Sequence, residues 1–257
     1  MGADGGGSLA GRAVLLTGAS GGIGTVTAAA LAADGATVLA HHRDDGATVR
    51  AALAGVPDER AVLLSGELST PDDARKLWRS ACERHEVDVL VLNAATMPDT
   101  PVDGPDEVWD AGWQEALQVN VIAAGALLRE AVRSFVARGS GTAIVLSSWA
   151  AEQGSRIRDV SAYAASKAAI RNLAQTFARN YARDGLRVYI LAPGVVRAGM
   201  GVHGHDEESL AVVADGLAMG RHVEAAEVAR MITFLAADGC PSLTGSTLDI
   251  NGASYIR

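Results

Sequence analysis

Thr17-Gly18-Ala19-Ser20-Gly21-Gly22-Ile23-Gly24 is the stretch whose reading decides the fold. It follows the apolar run Ala13 to Thr17 and opens an Ala-rich helical pattern. A glycine-rich turn between a strand and a helix lets backbone approach a pyrophosphate at the helix N-terminus, where unpaired N–H groups and the helix dipole favour an anion. Taken alone, such a turn also reads as a plain tight connection, so its weight depends on what surrounds it.

Outward from it, short β-prone runs alternate with longer helical patterns, which is the signature of repeated βαβ units. The strands are expected at Ala13 to Thr17, Thr37 to Ala40, Ala61 to Ser65, Val89 to Asn93, Thr142 to Ser147, Arg187 to Ala192 and Thr247 to Ile250. Most are nearly continuous apolar runs, as parallel strands covered on both faces must be. Ser69-Thr70-Pro71-Asp72-Asp73 is a helix start, with a capping hydroxyl ahead of Pro and acids. Gly35 and Gly185 stand where left-handed caps would end helices. The expected fold is α/β: a single domain built on a doubly wound, Rossmann-type parallel sheet of about seven strands with helices on both faces. Ligands of such sheets bind beyond the carboxyl ends of the strands.

Bulk properties narrow the partners. The 257 residues are 49% hydrophobic and only 4% aromatic, which suits helices packed on a sheet better than a platform for stacking bases. A formal charge of −8 with scattered Lys and Arg gives no basic stripe, so nucleic acid is not an expected partner. Cys82 and Cys240 supply neither a disulfide framework nor a zinc spacing, and a reducing, cytoplasmic setting is the expectation. No membrane span or signal peptide is read in the chain. Residues 1–8, with Gly5-Gly6-Gly7, read as a flexible leader ahead of a domain over 9–257.

Tyr163 and Lys167 lie four apart in a helical segment, so both side chains project from one face. A nearby ammonium favours tyrosinate, and the expectation is a phenol pKa lowered toward working pH for proton transfer. Ser148 can hydrogen-bond the same reacting oxygen, with neighbouring Ser147 the alternative hydroxyl. At the end of strand two, where an acid would bind a ribose diol, stand His42 and Arg43; a guanidinium there favours a 2′-phosphate, hence NADP(H) over NAD(H), the alternative being Arg43 as a solvated charge at a helix entry. No metal is expected: His41-His42 lack a third ligand, and His203-Gly204-His205-Asp206 reads as a loop before an acidic helix start.

The turn Thr-Gly-x-x-x-Gly-x-Gly, followed in order by Asn93-Ala94-Ala95, Asn120, Ser148, Tyr163-Ala-Ala-Ser-Lys167, Pro193-Gly194 and Thr244 to Gly252, resembles the short-chain dehydrogenase/reductase family from Leu9 to Gly252. The 3-oxoacyl thioester reductases are the nearest-looking subgroup. The resemblance implies hydride transfer between NAD(P)(H) and a small ketone or secondary alcohol, with Asn120, Ser148, Tyr163 and Lys167 catalytic and Asn120 holding a proton-relaying water. It implies cofactor contacts from Thr17, Gly18, Ser20, Gly22, Ile23, Gly24, His42, Arg43, Glu67, Leu68, Asn93, Ala94, Tyr163, Lys167, Pro193, Gly194 and Val196. It also implies a homotetramer or homodimer built on two long helices, read at Val108 to Val136 and Ala162 to Arg183.

Departures from the family pattern are Ala95 for a glycine and Val195-Val196-Arg197-Ala198 where a threonine is usual. The polar insert Glu152 to Asp159 reads as a solvated loop, with Arg156 or Arg158 facing an anionic substrate as the alternative. Residues 197–220, punctuated by glycines, are expected to form a flap over the substrate. The competing reading is a redox sensor or scaffold that binds cofactor without turnover, and such relatives tend to lose the tyrosine or lysine. A lyase or dehalogenase would be expected to alter the glycine turn or Lys167. Enoyl reductases space the tyrosine and lysine more widely.

Overall fold

The structure is a computed structural model that describes residues 7–201 and 206–256. Its sheet is made of β1 (Ala13–Leu16), β2 (Thr37–His42), β3 (Ala61–Ser65), β4 (Val89–Leu92), β5 (Gly141–Leu146), β6 (Leu186–Pro193) and β7 (Thr247–Ile250). Their order is β3-β2-β1-β4-β5-β6-β7, and every pairing is parallel. The winding therefore reverses between β1 and β4, and a crevice opens there at the carboxyl edge.

Helices α1 (Gly22–Ala33), α2 (Gly46–Ala52), α3 (Pro71–Arg84), α4 (Asp106–Leu117), α5 (Ala124–Arg138), α6 (Ala150–Gln153), α7 (Ser161–Tyr181), α8 (Glu207–Asp215) and α9 (Ala225–Ala236) complete the chain. The strands alternate their side chains between two cores. Leu15, Leu90, Val145 and Val188 pack under α3, α5 and α7, whereas Val14, Val91, Ile144 and Tyr189 pack under α1 and α9. Burial on both faces is why the strands read as unbroken apolar runs.

The local signals act as their chemistry requires. Thr70 caps α3 through a reciprocal box, accepting from the Asp73 amide at 3.2 Å while the Asp73 carboxylate accepts from the Thr70 amide at 3.0 Å; such a cap contributes about 1 kcal/mol. Gly35 and Gly185 take the left-handed conformation at φ 97° and 83°. The ends of β1, β4, β5 and β6 shift by one residue from those expected, and two larger expectations change. β2 runs on to His42, and the single helix expected over Val108 to Val136 is interrupted by a π-helical turn, Gln118–Ala123. Apolar periodicity did not betray that turn, because a one-residue widening leaves the pattern of buried positions nearly unchanged.

The segment expected as a flap begins as a brace. Val196 bridges Val223, with Val223 N donating to Val195 O and Arg197 N to Val223 O, each at 2.9 Å. His203, Gly204 and His205 lie outside the described residues, as does most of the leader expected over 1–8.

Candidate active site

Thr17 and Asn93 staple the crevice. The Thr17 hydroxyl donates to Val91 O at 3.2 Å and accepts from the Asn93 and Ala94 amides at 3.0 Å. The Asn93 side-chain amide donates to the carbonyls of Thr17 and Gly18 at 2.9 and 3.0 Å. Glycine is required at two points: Gly18 takes φ +66° against Ala94, and a Cβ on Gly24 would fall 2.0 Å from Gly18 O. The first turn of α1 has no side-chain cap. Its amides are therefore unclaimed by any capping side chain, and with Gly18, Gly21 and Gly22 in front they fit the pyrophosphate of a dinucleotide.

The sequence did not reveal what supports that turn. His41 is buried, its Nδ1 accepting from the Gly18 amide at 3.3 Å and its Nε2 lying 3.0 Å from Gly66 O. Its only signal is its place just past the expected end of the strand at Ala40, and the pair His41-His42 there suggests only a metal site, set aside for want of a third ligand. Burial holds its pKa below the usual 6.5, which suits an imidazole that must keep Nδ1 as an acceptor. His42, expected at the cofactor edge, is also buried: its ring packs against Gly46, and its Nδ1 has no hydrogen-bond partner. Arg43 is exposed and pairs with Asp44 at 2.8 Å. Of the two cofactor contacts expected after β3, Glu67 is exposed and Leu68 buried.

The side chains expected to react meet at the ends of β5 and α7. Ser148 hydrogen-bonds the Tyr163 phenol and also accepts from Ala150 N at 3.2 Å. Ser147 is committed elsewhere, donating to Lys167 O at 3.0 Å and so tying β5 to α7. Lys167 is buried; its Nζ donates to Leu146 O at 2.9 Å and stands 5.7 Å from the centre of the Tyr163 ring.

The titration expected for Tyr163 is corrected here. Burial, the larger effect, pushes the phenol above its usual 10, and the Ser148 hydrogen bond only partly opposes it. Burial also lowers Lys167 to about 8. The ammonium spends its bond on a carbonyl rather than on the phenol, so desolvation governs both groups.

Asn120 sits in the π turn, 2% exposed. Its side chain accepts from Thr96 N at 2.9 Å and donates to Thr96 O at 2.8 Å and to Ser166 Oγ at 2.9 Å. The amide is fully occupied in holding the loop after β4 against α7. Thr96 also hydrogen-bonds Glu115 through its hydroxyl. At the other end of the crevice, Gly194 N donates to Ile250 O at 2.9 Å and Trp149 N to Pro193 O at 3.0 Å. Ala198 and Gly199 come down on Gly22, where a Cβ would lie 2.4 Å from Gly199 N.

Arg156 and Arg158 line a cavity of about 440 Å³ whose helical wall is Ser161, Ala164, Ala165 and Ala168. At 100° per residue that stripe faces away from Tyr163, so the solvated reading of the insert is the one the geometry supports. Among the described residues no helix is long and apolar enough to cross a membrane.

This constellation, a braced glycine turn beside a serine, tyrosine and lysine at one sheet edge, defines a nicotinamide-dependent oxidoreductase. The chain belongs to the short-chain dehydrogenase/reductase family: the matching family model, described as Enoyl-(Acyl carrier protein) reductase, covers residues 18–253. It is 34% identical to glucose 1-dehydrogenase of Gluconobacter oxydans, over 95% of this chain and 92% of that one. It is 29% identical to the 3-oxoacyl-[acyl-carrier-protein] reductase of Escherichia coli, over 96% and 98%. Among solved structures, a 3-oxoacyl (acyl-carrier-protein) reductase of Agrobacterium tumefaciens with NADP bound matches with a TM-score of 0.86 and 31% identity, over 95% and 94% of the two chains.

Proposed function

We propose that this protein reduces a small or medium ketone to a secondary alcohol with NADPH, Tyr163 being the proton donor. The observation that carries the proposal is the phenol of half-buried Tyr163 bonded to Ser148 at the carboxyl edge, with its pKa raised from the usual 10 by desolvation. A phenol that stays protonated at neutral pH is a general acid, which suits reduction rather than oxidation. A bound nicotinamide supplies the hydride. Ser148 donates to the carbonyl oxygen, Tyr163 delivers its proton to the same oxygen, and Lys167 returns a proton toward the phenol as its own pKa of about 8 allows. The Asn120 side chain holds the wall of this site, so a relaying water would have to use its main-chain carbonyl. The four-residue spacing of Tyr163 and Lys167 favours carbonyl over enoyl reduction.

Arg43 supports the preference for NADPH as the exposed cation at the tip of β2, reaching a 2′-phosphate by leaving Asp44. The field there is mixed, because Glu67 and Glu115 lie close enough to raise the Arg43 pKa further. The remaining cofactor contacts proposed are Thr17, Ser20, Ile23, Asn93, Ala94, Pro193, Gly194 and Val196, which stand at or just after the carboxyl ends of β1, β4 and β6. Self-association into a dimer or tetramer is supported by exposed Val108, Leu117 and Ile122 on α4 and the π turn and by Tyr181 on α7. A cytoplasmic setting fits two free cysteines.

Fluorescence titration with NADPH and NADH, then a ketone panel with wild type and Tyr163→Phe, tests the reading. Tighter NADPH binding, weakened by Arg43→Ala, and turnover lost in Tyr163→Phe support it. Cofactor binding without turnover on any ketone favours the sensor reading, and binding of neither nucleotide overturns both.

A further inference from the structure

α7 carries both Tyr163 and Lys167, yet its N-terminus has no cap of its own. Val160 stands at the cap position and offers no side-chain hydrogen bond. The missing cap comes from sixty residues upstream. Thr100, fully buried in the loop after β4, directs both its donors at one carbonyl: its amide reaches Asp159 O at 2.6 Å and its hydroxyl the same oxygen at 3.2 Å. The hydroxyl also lies 2.9 Å from Ser161 Oγ and makes a long 3.5 Å contact with the amide of Ala162, in the first turn of α7.

Thr100 is held there from behind. Gly112 of α4 is buried against it, and a Cβ at that position would fall 2.6 Å from Asp99 O and 2.8 Å from Thr100 Cγ2. The same loop begins at Asn93, which fixes the glycine turn, and is anchored midway at Thr96 by Asn120. One short segment thus connects the nucleotide turn, the π turn and the start of the catalytic helix.

We propose that Thr100 is a positioning residue for catalysis: by capping α7 from the β4–α4 loop it fixes the first turn, and with it the Tyr163 phenol, against Ser148. The proposal rests on Tyr163 being the proton donor, and its scope is the alignment of that donor rather than the binding of cofactor. Removing a side-chain cap weakens the first turn of a helix and favours its fraying, and Tyr163 is only the third residue of this helix. Fraying admits water to the phenol and separates it from Ser148, while Lys167, a turn further on and tied to Leu146, stays in place.

The test compares Thr100→Val, which keeps the shape and removes the hydroxyl, with Thr100→Ser, which keeps the hydroxyl. Ultraviolet titration of tyrosinate, with the Tyr163 signal isolated by subtracting Tyr163→Phe, is read beside kcat and KM for ethyl acetoacetate reduction by NADPH. Thr100→Val is expected to bring the phenol pKa down toward 10 and to lower kcat about ten-fold with the KM for NADPH unchanged, as misplacement of a catalytic group does. Thr100→Ser should restore both. A Thr100→Val protein with wild-type titration and kcat overturns the proposal, as does a Thr100→Ser protein equally damaged. If wild type does not reduce the ester, that substrate is wrong, and the titration alone decides. If Thr100→Val does not fold, Gly112→Ala supplies the second variant: its Cβ must displace Thr100, and an unmoved phenol titration in that variant overturns the proposal.

Discussion

The imidazole of His41 accepts the amide proton of Gly18, so the nucleotide turn rests on a titratable side chain. His41 is neutral in the folded protein with a pKa below 6.5, whereas the unfolded chain protonates it near 6.5. As pH falls from 6.5, the unfolded state binds more protons and stability declines; above 6.5 this dependence vanishes. His41→Leu should flatten the acid limb of a urea-midpoint series and lower neutral-pH stability by about 1–2 kcal/mol through the unpaired Gly18 amide. A limb unchanged in the variant would assign it to other groups.

Lys167 offers the opposite test. A buried ammonium lowered to about 8 from 10.5 costs stability on the order of 3 kcal/mol at neutral pH. Lys167→Met should raise the Tm at pH 7 while abolishing turnover. The gap should narrow from pH 8 toward 10.5, where the folded wild type releases its proton before the unfolded chain does. Calorimetry across that range reads the sign directly.

Asn120→Ala leaves both backbone groups of Thr96 without their partner. We expect a loss of about 1–3 kcal/mol in chemical denaturation and a kcat reduced more than the KM for cofactor, because the π turn faces α7 rather than the glycine turn.

Gly22→Ala places a methyl where Ala198 and Gly199 now sit. The expected result is a lifted 198–201 segment, seen as faster proteolysis there, with nucleotide affinity weakened at least several-fold while the Tm falls by only a few degrees.

Much of this was written plainly in the chain. Strands such as Val89–Leu92 announce themselves because two apolar layers leave no polar position, and Tyr163, Lys167 and the glycine turn carry spacing that chemistry demands. Ser148 was separable from Ser147 only in three dimensions, since adjacent residues on an emerging strand point to opposite sides. His41 and Thr100 were illegible for a different reason: each acts on a segment 23 or more residues away, and nothing in local pattern records such a partner. The Tyr163 titration was misjudged because proximity in sequence to a lysine says nothing of which acceptor that lysine chooses or how dry the pocket is.

The reversal of winding between β1 and β4 also sets a schedule for synthesis. A nascent chain that has emerged only through α2 possesses the glycine-rich turn but not Asn93, which fixes its carbonyls, and Tyr163, the proposed proton donor, arrives some seventy residues after that. Nucleotide therefore has no finished seat on a ribosome-bound chain that ends at α2, and any stabilisation by ligand reaches the molecule only after β4 has inserted beside β1.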